Sequence, residues 1–400
     1  MLNTTFSLNT ASNLVVRRVK QLDFFSIFDN DSKNSVDCDV VDFSSIALLA
    51  REGCLSIRNN VGSRKKMFDI ENRRYIGNKA KLTPWIIGTI NEHTSGFDSF
   101  FDVFAGTASV SKAAIPYAKK IILNDFLSSN NVIFKAFFGQ GNYDLNKLKS
   151  IVDSYNLLDV ASLDDNYFSI NFGNKYFDYL NSKLIGFIRE DIETKRADLT
   201  DKEYSILLAS LIYSIDRIAN TVGHFDAYIK KNIPYISLNF SLIKPLDVAN
   251  VEIYQQDSNL LARNVVADVA YVDPPYNSRQ YSRFYHIYET LVEWQKPVLF
   301  GVAMKPKPQN MSAYCRVEAP LAFRDLVQNL SAKYIVVSYN NTYNSKSGSS
   351  KNKISLEQIK KILEERGATR IYESPHKCFN AGKTDFKDHK ELLFVTEVRE

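Results

Sequence analysis

Four short stretches of this 400-residue chain combine residue types from which a reaction site can be built. The first is Asp273-Pro274-Pro275-Tyr276, directly after the apolar run V-A-Y-V. Proline fixes φ and has no N–H, so a carboxylate beside two prolines offers hydrogen-bond acceptors with few competing donors. Such acceptors match an exocyclic amino group, and the tyrosine adds a face for a planar base. An ordinary D-P-P-Y turn is the other reading of the same four residues. The second stretch is D-V-F-A-G-T-A-S over 102–109. A tight turn at Gly106 lets backbone N–H groups approach a cofactor at a helix N-terminus, although any α/β protein has such turns. The third is Asn124-Asp125, with Asp125 23 residues after Asp102. Acids about 20 residues beyond a glycine turn bind ribose hydroxyls in nucleotide-type sites, and aspartate is equally favoured as a helix cap. The fourth is R-Y-I-G-N-K over 74–79, by itself a basic loop.

These residues need elements to position them. Leu82, Trp85, Ile86 and Ile90 share one helical face. Strands are expected over 99–104 and 120–123, and helices over 108–119 and 126–138. This alternation marks a parallel, doubly wound α/β sheet, in which ligands bind beyond the carboxyl ends of the strands. Residues 140–245 break the rhythm. T-D-K-E over 200–203 is a capping box, opening a helix with Leu207, Leu208, Leu211, Ile212, Ile215 and Ile218 on its apolar side. The whole reads as a largely helical insertion forming a second lobe. Strands resume at 269–272, 334–338 and 392–396, and 340–353 is a polar loop.

Residues 1–70 stand apart as an extension of unknown role. Asp29, Asp31, Asp37, Asp39 and Asp42 crowd one segment, and Arg64, Lys65, Lys66, Arg73, Arg74, Lys79 and Lys81 follow. A short helix is expected over 44–58, with a faint likeness to the first half of a helix-turn-helix. The expected organisation is an extension (1–70), a cofactor half (71–139), an inserted lobe (140–245) and a catalytic half (246–400).

Hydrophobic residues make up 45% and charged residues 24%, an ordinary globular balance that excludes fibrous and wholly disordered classes. No apolar run is long enough to span a bilayer; the nearest, 204–215, is interrupted by serines. The first twelve residues lack the basic-then-apolar order of a signal peptide. Cys38, Cys54, Cys315 and Cys378 form no C-x-x-C pair, so neither a bound metal nor a disulfide framework is expected, and a cytoplasmic chain is. The net charge of +5, from 50 basic and 45 acidic residues, leaves a polyanionic partner open.

Taken in order, the four stretches resemble the motifs of the Dam-like, α-group DNA adenine-N6 methyltransferases. R-Y-I-G-N-K is similar to their motif X, D-V-F-A-G-T-A-S to motif I, N-D to the motif II acid and D-P-P-Y to the catalytic motif IV. A-N-T-V-G-H-F-D-A-Y-I-K from Ala219, Y-N-S-R-Q-Y from Tyr276, V-S-Y-N-N from Val337, F-N-A-G-K from Phe379 and H-K-E-L-L-F from His389 resemble the branch of type II restriction-system methylases. The resemblance runs from about Asn72 to Val398. It implies a Rossmann-like class I methyltransferase fold, S-adenosylmethionine as methyl donor, double-stranded DNA as substrate, and a cognate restriction endonuclease as functional partner.

It also implies site residues. Asp273 and a carbonyl of Pro274-Pro275 would accept from the two amino hydrogens of a flipped adenine, and Tyr276 would stack on its ring. Tyr75, Lys79, Asp102 and Asp273 would contact the cofactor, and Asp125 its ribose. Phe104, Gly106 and Thr107 would form its turn, and Asp257 would meet its adenine amino group or cap a helix. Arg279, Arg283, Lys230 and Lys231 are the DNA-phosphate candidates, with Arg64, Lys65, Lys66, Arg73, Lys305 and Lys307 also available; His286 reads as a packed residue. One departure stands out: Ala108 occupies a position where the family usually has a second glycine; its methyl would crowd the cofactor's methionine end if the backbone needs a positive φ, and is expected to be tolerated because alanine starts a helix well. An RNA target and a catalytically silent DNA-binding relative are the alternatives.

Overall fold

The computed structural model describes residues 67–231, 233–342, 351–375 and 389–399. Outside them lie the expected helix at 44–58, Arg64, Lys65 and Lys66, residues 343–350 of the polar loop, and F-N-A-G-K. Helix α1 (Thr83–His93) leads to β1 (Ser99–Asp102), α2 (Ser109–Ala114), β2 (Lys120–Asn124) and α3 (Ser128–Phe137). Helices α4 (Leu145–Asn156), α5 (Tyr167–Phe172), α6 (Tyr179–Thr194) and α7 (Asp201–Asp216) follow, then β3 (Val251–Tyr254), α8 (Ser258–Leu261) and β4 (Val266–Val272). The remainder is α9 (Tyr281–Phe284), α10 (His286–Glu293), α11 (Ala319–Asn329), β5 (Ser331–Asn340), α12 (Leu356–Glu364), β6 (Gly367–Pro375) and β7 (Lys390–Val398).

The strands form one sheet in the order β3-β2-β1-β4-β5-β7-β6. β1 to β5 run parallel, and β7 enters antiparallel between β5 and β6. This is a Rossmann-like methyltransferase fold. The central strands read as unbroken apolar runs because both faces are covered. Phe100, Ile121, Val269, Tyr271 and Val336 enter one core, while Phe101, Ile122, Ala270, Val272 and Val337 enter the other.

The first core continues without a break into the insertion through Leu148, Phe168, Ile185 and Ile212. Helix α7 begins at the expected capping box: the Thr200 hydroxyl accepts from the Glu203 N–H, and the Glu203 carboxylate from the Thr200 N–H. From Ser205 to Asp216 every residue of α7 is buried, which explains the long apolar run over 204–215. No helix among the described residues is long and apolar enough to cross a membrane.

Three elements differ from expectation. Helix α2 ends at Ala114 rather than running to 119, because Pro116 cannot continue a helix. Strands β3 and β6 carried no clear signal. Both are sheet edges; β3 is half-buried along its length and β6 is buried at Gly367 alone, so neither needs a continuous apolar run.

Candidate active site

Asp102 closes β1, and Asp273 follows the neighbouring strand β4. The chain winds away from β1 in both directions, to β2 on one side and β4 on the other, so this is the topological switch point of the sheet. A cleft of about 250 Å³ opens there. Tyr75, Lys79, Asp102, Phe104, Gly106, Thr107, Asp125, Asp257, Asp273, Pro274, Pro275 and Tyr276 all line it.

The R-Y-I-G-N-K segment becomes a wall of the cleft because the rest of the fold clamps it. The Arg74 N–H and guanidinium reach Asp216 at the end of α7, at 3.0 and 3.3 Å. The Tyr75 ring lies parallel to that of Tyr285, 4.6 Å between centroids, and the Ile76 N–H donates to the Tyr285 hydroxyl at 2.8 Å. Arg73, a phosphate candidate in sequence, is buried instead. Its guanidinium donates to the Gly106 carbonyl (3.2 Å) and Asn130 (2.8 Å), so it braces the turn and is withdrawn from any DNA surface.

Gly106 has φ +53°, and a side chain there would press on the Tyr75 ring at 3.4 Å. Its N–H donates to Asp125 Oδ2 at 2.9 Å, while Asp125 Oδ1 accepts from the Leu127 N–H at 2.9 Å. One carboxylate therefore latches the turn and caps the approach to α3. Asp257 likewise caps α8, accepting from Asn259 at 2.9 Å and Leu260 at 3.2 Å, while lining the cleft. Asp102 Oδ2 accepts from the Ser111 hydroxyl at 2.5 Å, and its Oδ1 is buried without a partner. Burial pushes the Asp102 carboxyl up to about 7; Ser111 opposes the rise, and Asp273 and Asp125 add to it.

Ala108 does not have the geometry expected of it. It has φ +54°, in the left-handed region, rather than ordinary helix-start geometry. Its methyl is fully buried and is not part of the cleft lining. Left-handed strain of roughly 1–2 kcal/mol is set against about 0.8 kcal/mol for the buried methyl and about 0.4–1 kcal/mol of unfolded-chain entropy. These nearly cancel, so Ala108→Gly should move the melting temperature by no more than a few degrees and cofactor affinity by less than about twofold. Scanning calorimetry and cofactor titration check both numbers.

At the other side of the cleft, Lys79 Nζ lies 2.9 Å from Asp273 Oδ2 and 3.4 Å from Glu391 Oε1. It also donates to the Tyr276 hydroxyl at 2.5 Å. That hydroxyl in turn bonds Asp273 Oδ1 and lies 3.2 Å from Glu391. Glu391 accepts from Ser338 at 2.8 Å. Burial raises the Asp273 carboxyl above its ordinary range; Lys79 opposes this, and Glu391 reinforces it. Burial also works against the Lys79 charge, but Asp273 and Glu391 outweigh it and hold the ammonium above its ordinary value.

The Tyr276 ring, expected to stack on the base, is held at its hydroxyl end and along one side. The Lys79 ammonium sits at its hydroxyl edge, 4.8 Å from the ring centroid, and Tyr339 packs edge-on at 4.7 Å. Glu391 was not singled out from sequence, although H-K-E-L-L-F was noted. The available signal was a carboxylate directly before the apolar run Leu392 to Val395 of β7.

The DNA candidates lie elsewhere. Lys230 and Lys231 are exposed in the connection after α7. Arg283 donates to the Pro306 carbonyl at 2.5 Å, and Arg279 lies over the Phe284 ring at 6.0 Å. His286 is fully buried with Nε2 on the Phe225 carbonyl at 3.0 Å. Among the described residues, no group of three or more His, Cys, Asp or Glu side chains is placed to hold a metal.

The family described as D12 class N6 adenine-specific DNA methyltransferase matches residues 75–344. The type II methyltransferase M.NlaIII of Neisseria lactamica is 28% identical over 345 residues, covering 81% of this chain and 98% of that protein. M.CviAII of Paramecium bursaria Chlorella virus 1 is 30% identical over 338 residues, covering 82% and 98%. The modification methylase StsI of Streptococcus sanguinis is 31% identical over 352 residues, covering 81% of this chain and 52% of that longer protein. With the switch-point cleft, its glycine turn and the D-P-P-Y carboxylate in place, the chain belongs to the D12 class of N6 adenine-specific DNA methyltransferases.

Proposed function

We propose that the chain transfers a methyl group from S-adenosylmethionine to the N6 amino group of an adenine flipped out of duplex DNA. It acts at a specific site and marks cytoplasmic host DNA against a cognate restriction endonuclease. The observation that carries this reading is the meeting of Asp273, Lys79 and Tyr276 with the Gly106 turn in one cleft, with Glu391 buried behind them on the same lysine.

The residues present fit the donor. Asp102 Oδ1, buried and unpartnered, matches an ammonium group. Asp125 beside the Gly106 turn matches a ribose. Phe104 and Tyr314, edge to face at 5.0 Å, with Asp257 and Asn259 nearby, match a purine. When bound, the cofactor supplies an electrophilic methyl on sulfonium. The chain's own residues do the rest. Asp273 accepts an amino hydrogen, turns the nitrogen lone pair out of the ring and stabilises the positive charge that develops there.

Two donors now occupy Asp273, the Lys79 ammonium and the Tyr276 hydroxyl. The ammonium lies within reach of both carboxylate oxygens, at 3.0 and 2.9 Å, and the hydroxyl is on Oδ1, so adenine must displace at least one of them. Glu391 lies within reach of both donors and can hold them as Asp273 is vacated. Flipping costs roughly a few kcal/mol, which DNA contacts must supply.

Radiolabelled methyl transfer to duplex DNA and to RNA tests the reading; transfer to RNA alone would refute it. A pH dependence follows from Asp102. A cationic ligand group needs the ionised carboxylate, so donor affinity should weaken about tenfold per pH unit below pH ~7 and level off above it. Asp102→Asn should flatten that slope in calorimetric titrations from pH 5.5 to 8.5.

A further inference from the structure

Six non-glycine residues have positive φ among the described residues, and four of them, Trp294, Lys296, Met304 and Asn310, fall in one stretch after α10. Left-handed backbone is costly for residues with a side chain, so the surroundings must hold this loop in place. Phe300 and Lys305 exchange both backbone hydrogen bonds, at 2.8 and 3.0 Å, closing a hairpin that turns at Gly301 (φ +69°). The Tyr176 hydroxyl donates to the Ala303 carbonyl at 3.0 Å and Tyr167 to the Pro297 carbonyl at 2.7 Å. Arg283 holds the Pro306 carbonyl, and Lys305 pairs with Asp226.

This braced frame presents Val298, Phe300 and Val302 to solvent, 73%, 52% and 70% exposed. Apolar side chains clustered on a rigid surface turn mark a contact surface rather than a contribution to the fold. Their position says what they contact. The cavity behind the hairpin, which Phe300 and Arg283 line, shares Ser282 and Asn310 with the reaction cleft. The hairpin therefore stands beside the reaction cleft. The exposed Lys307 follows the hairpin, and an apolar tip beside a basic residue is complementary to stacked bases and their phosphates.

We propose that this hairpin is a DNA wedge. The Phe300 ring, with Val302 beside it, enters the base stack at the target position and holds the gap open once the adenine has left. Lys307 faces an adjoining phosphate, while Lys305 stays with Asp226 and braces the hairpin. The proposal rests on the DNA-methylation reading above.

The test uses the full chain, tritiated S-adenosylmethionine, and a duplex carrying the chain's site, mapped beforehand by methylated-base sequencing. A second duplex places the target adenine opposite an abasic position, where opening the gap costs less. Phe300→Ala should lower kcat/KM on the intact duplex about 10- to 100-fold, but on the abasic duplex by less than about threefold. Phe300→Leu should keep most activity on both, and calorimetric cofactor affinity should not change. Equal loss on the two duplexes, or no loss on either, would overturn the wedge. No transfer by the unaltered chain to either duplex would overturn the DNA reading itself, which separates the two failures.

Discussion

Replacing Asp273 with alanine is expected to lower kcat by about 1,000-fold, the scale of removing one placed group that stabilises transition-state charge. Cofactor and duplex binding should stay within a few-fold. The carboxylate is the acceptor at the switch point, and the adenine amino nitrogen is a poor nucleophile until such an acceptor draws on its hydrogens. The substitution should not collapse the site, because Lys79 keeps Glu391 at 3.4 Å and the buried ammonium stays paired. Radiolabelled methyl transfer under single-turnover conditions, with calorimetry for the donor, reads both effects. Turnover close to that of the unaltered chain would remove Asp273 from the chemistry.

Lys79→Met should do wider damage. Asp273 and Glu391 then face each other across a buried space with no cation between them, and breaking a buried ion pair from one side costs about 3–5 kcal/mol. The loss should depend on pH, and its sign is set by Asp273. Burial already holds this carboxyl above its unfolded value, and losing the lysine raises it further. A carboxyl raised in the fold favours folding below its unfolded pKa, and that advantage disappears as pH rises through the folded pKa. The deficit should therefore be smaller at pH 5 than at pH 8, and methyl transfer at neutral pH should be lost. Adding Glu391→Gln should recover part of the stability by removing one of the two unpaired charges. Thermal unfolding of the single and double variants at both pH values measures this. A pH-independent deficit, or simple additivity of the two substitutions, would contradict the shared-lysine arrangement.

Much of the architecture was legible along the chain. The central strands announced themselves because burial on both faces demands continuous apolar residues, as in V-A-Y-V before Asp273. The start of α7 was legible because Thr200 and Glu203 satisfy backbone groups only three residues apart. Edge strands β3 and β6 were not, since an edge buries too little to impose a pattern. Ala108 was misjudged because backbone handedness at a turn is set by what packs around it. Arg73 was misjudged because nothing local says whether an arginine faces solvent or a carbonyl 33 residues away.

The chemical residue types, their order and their place at strand ends are properties of the primary structure. They follow from local rules of period, capping and proline geometry, and they sufficed to nominate the cleft residues from Tyr75 to Tyr276. The folded chain alone decided that Glu391, 118 residues beyond Asp273, shares its lysine. It also decided that Tyr276 turns its hydroxyl onto the Asp273 carboxylate, and that a hairpin after α10 exposes Phe300 beside a cavity adjoining the cleft. Those facts depend on antiparallel insertion of β7 beside β5 and on contacts between segments far apart in the chain, and no local pattern encodes distances of that kind.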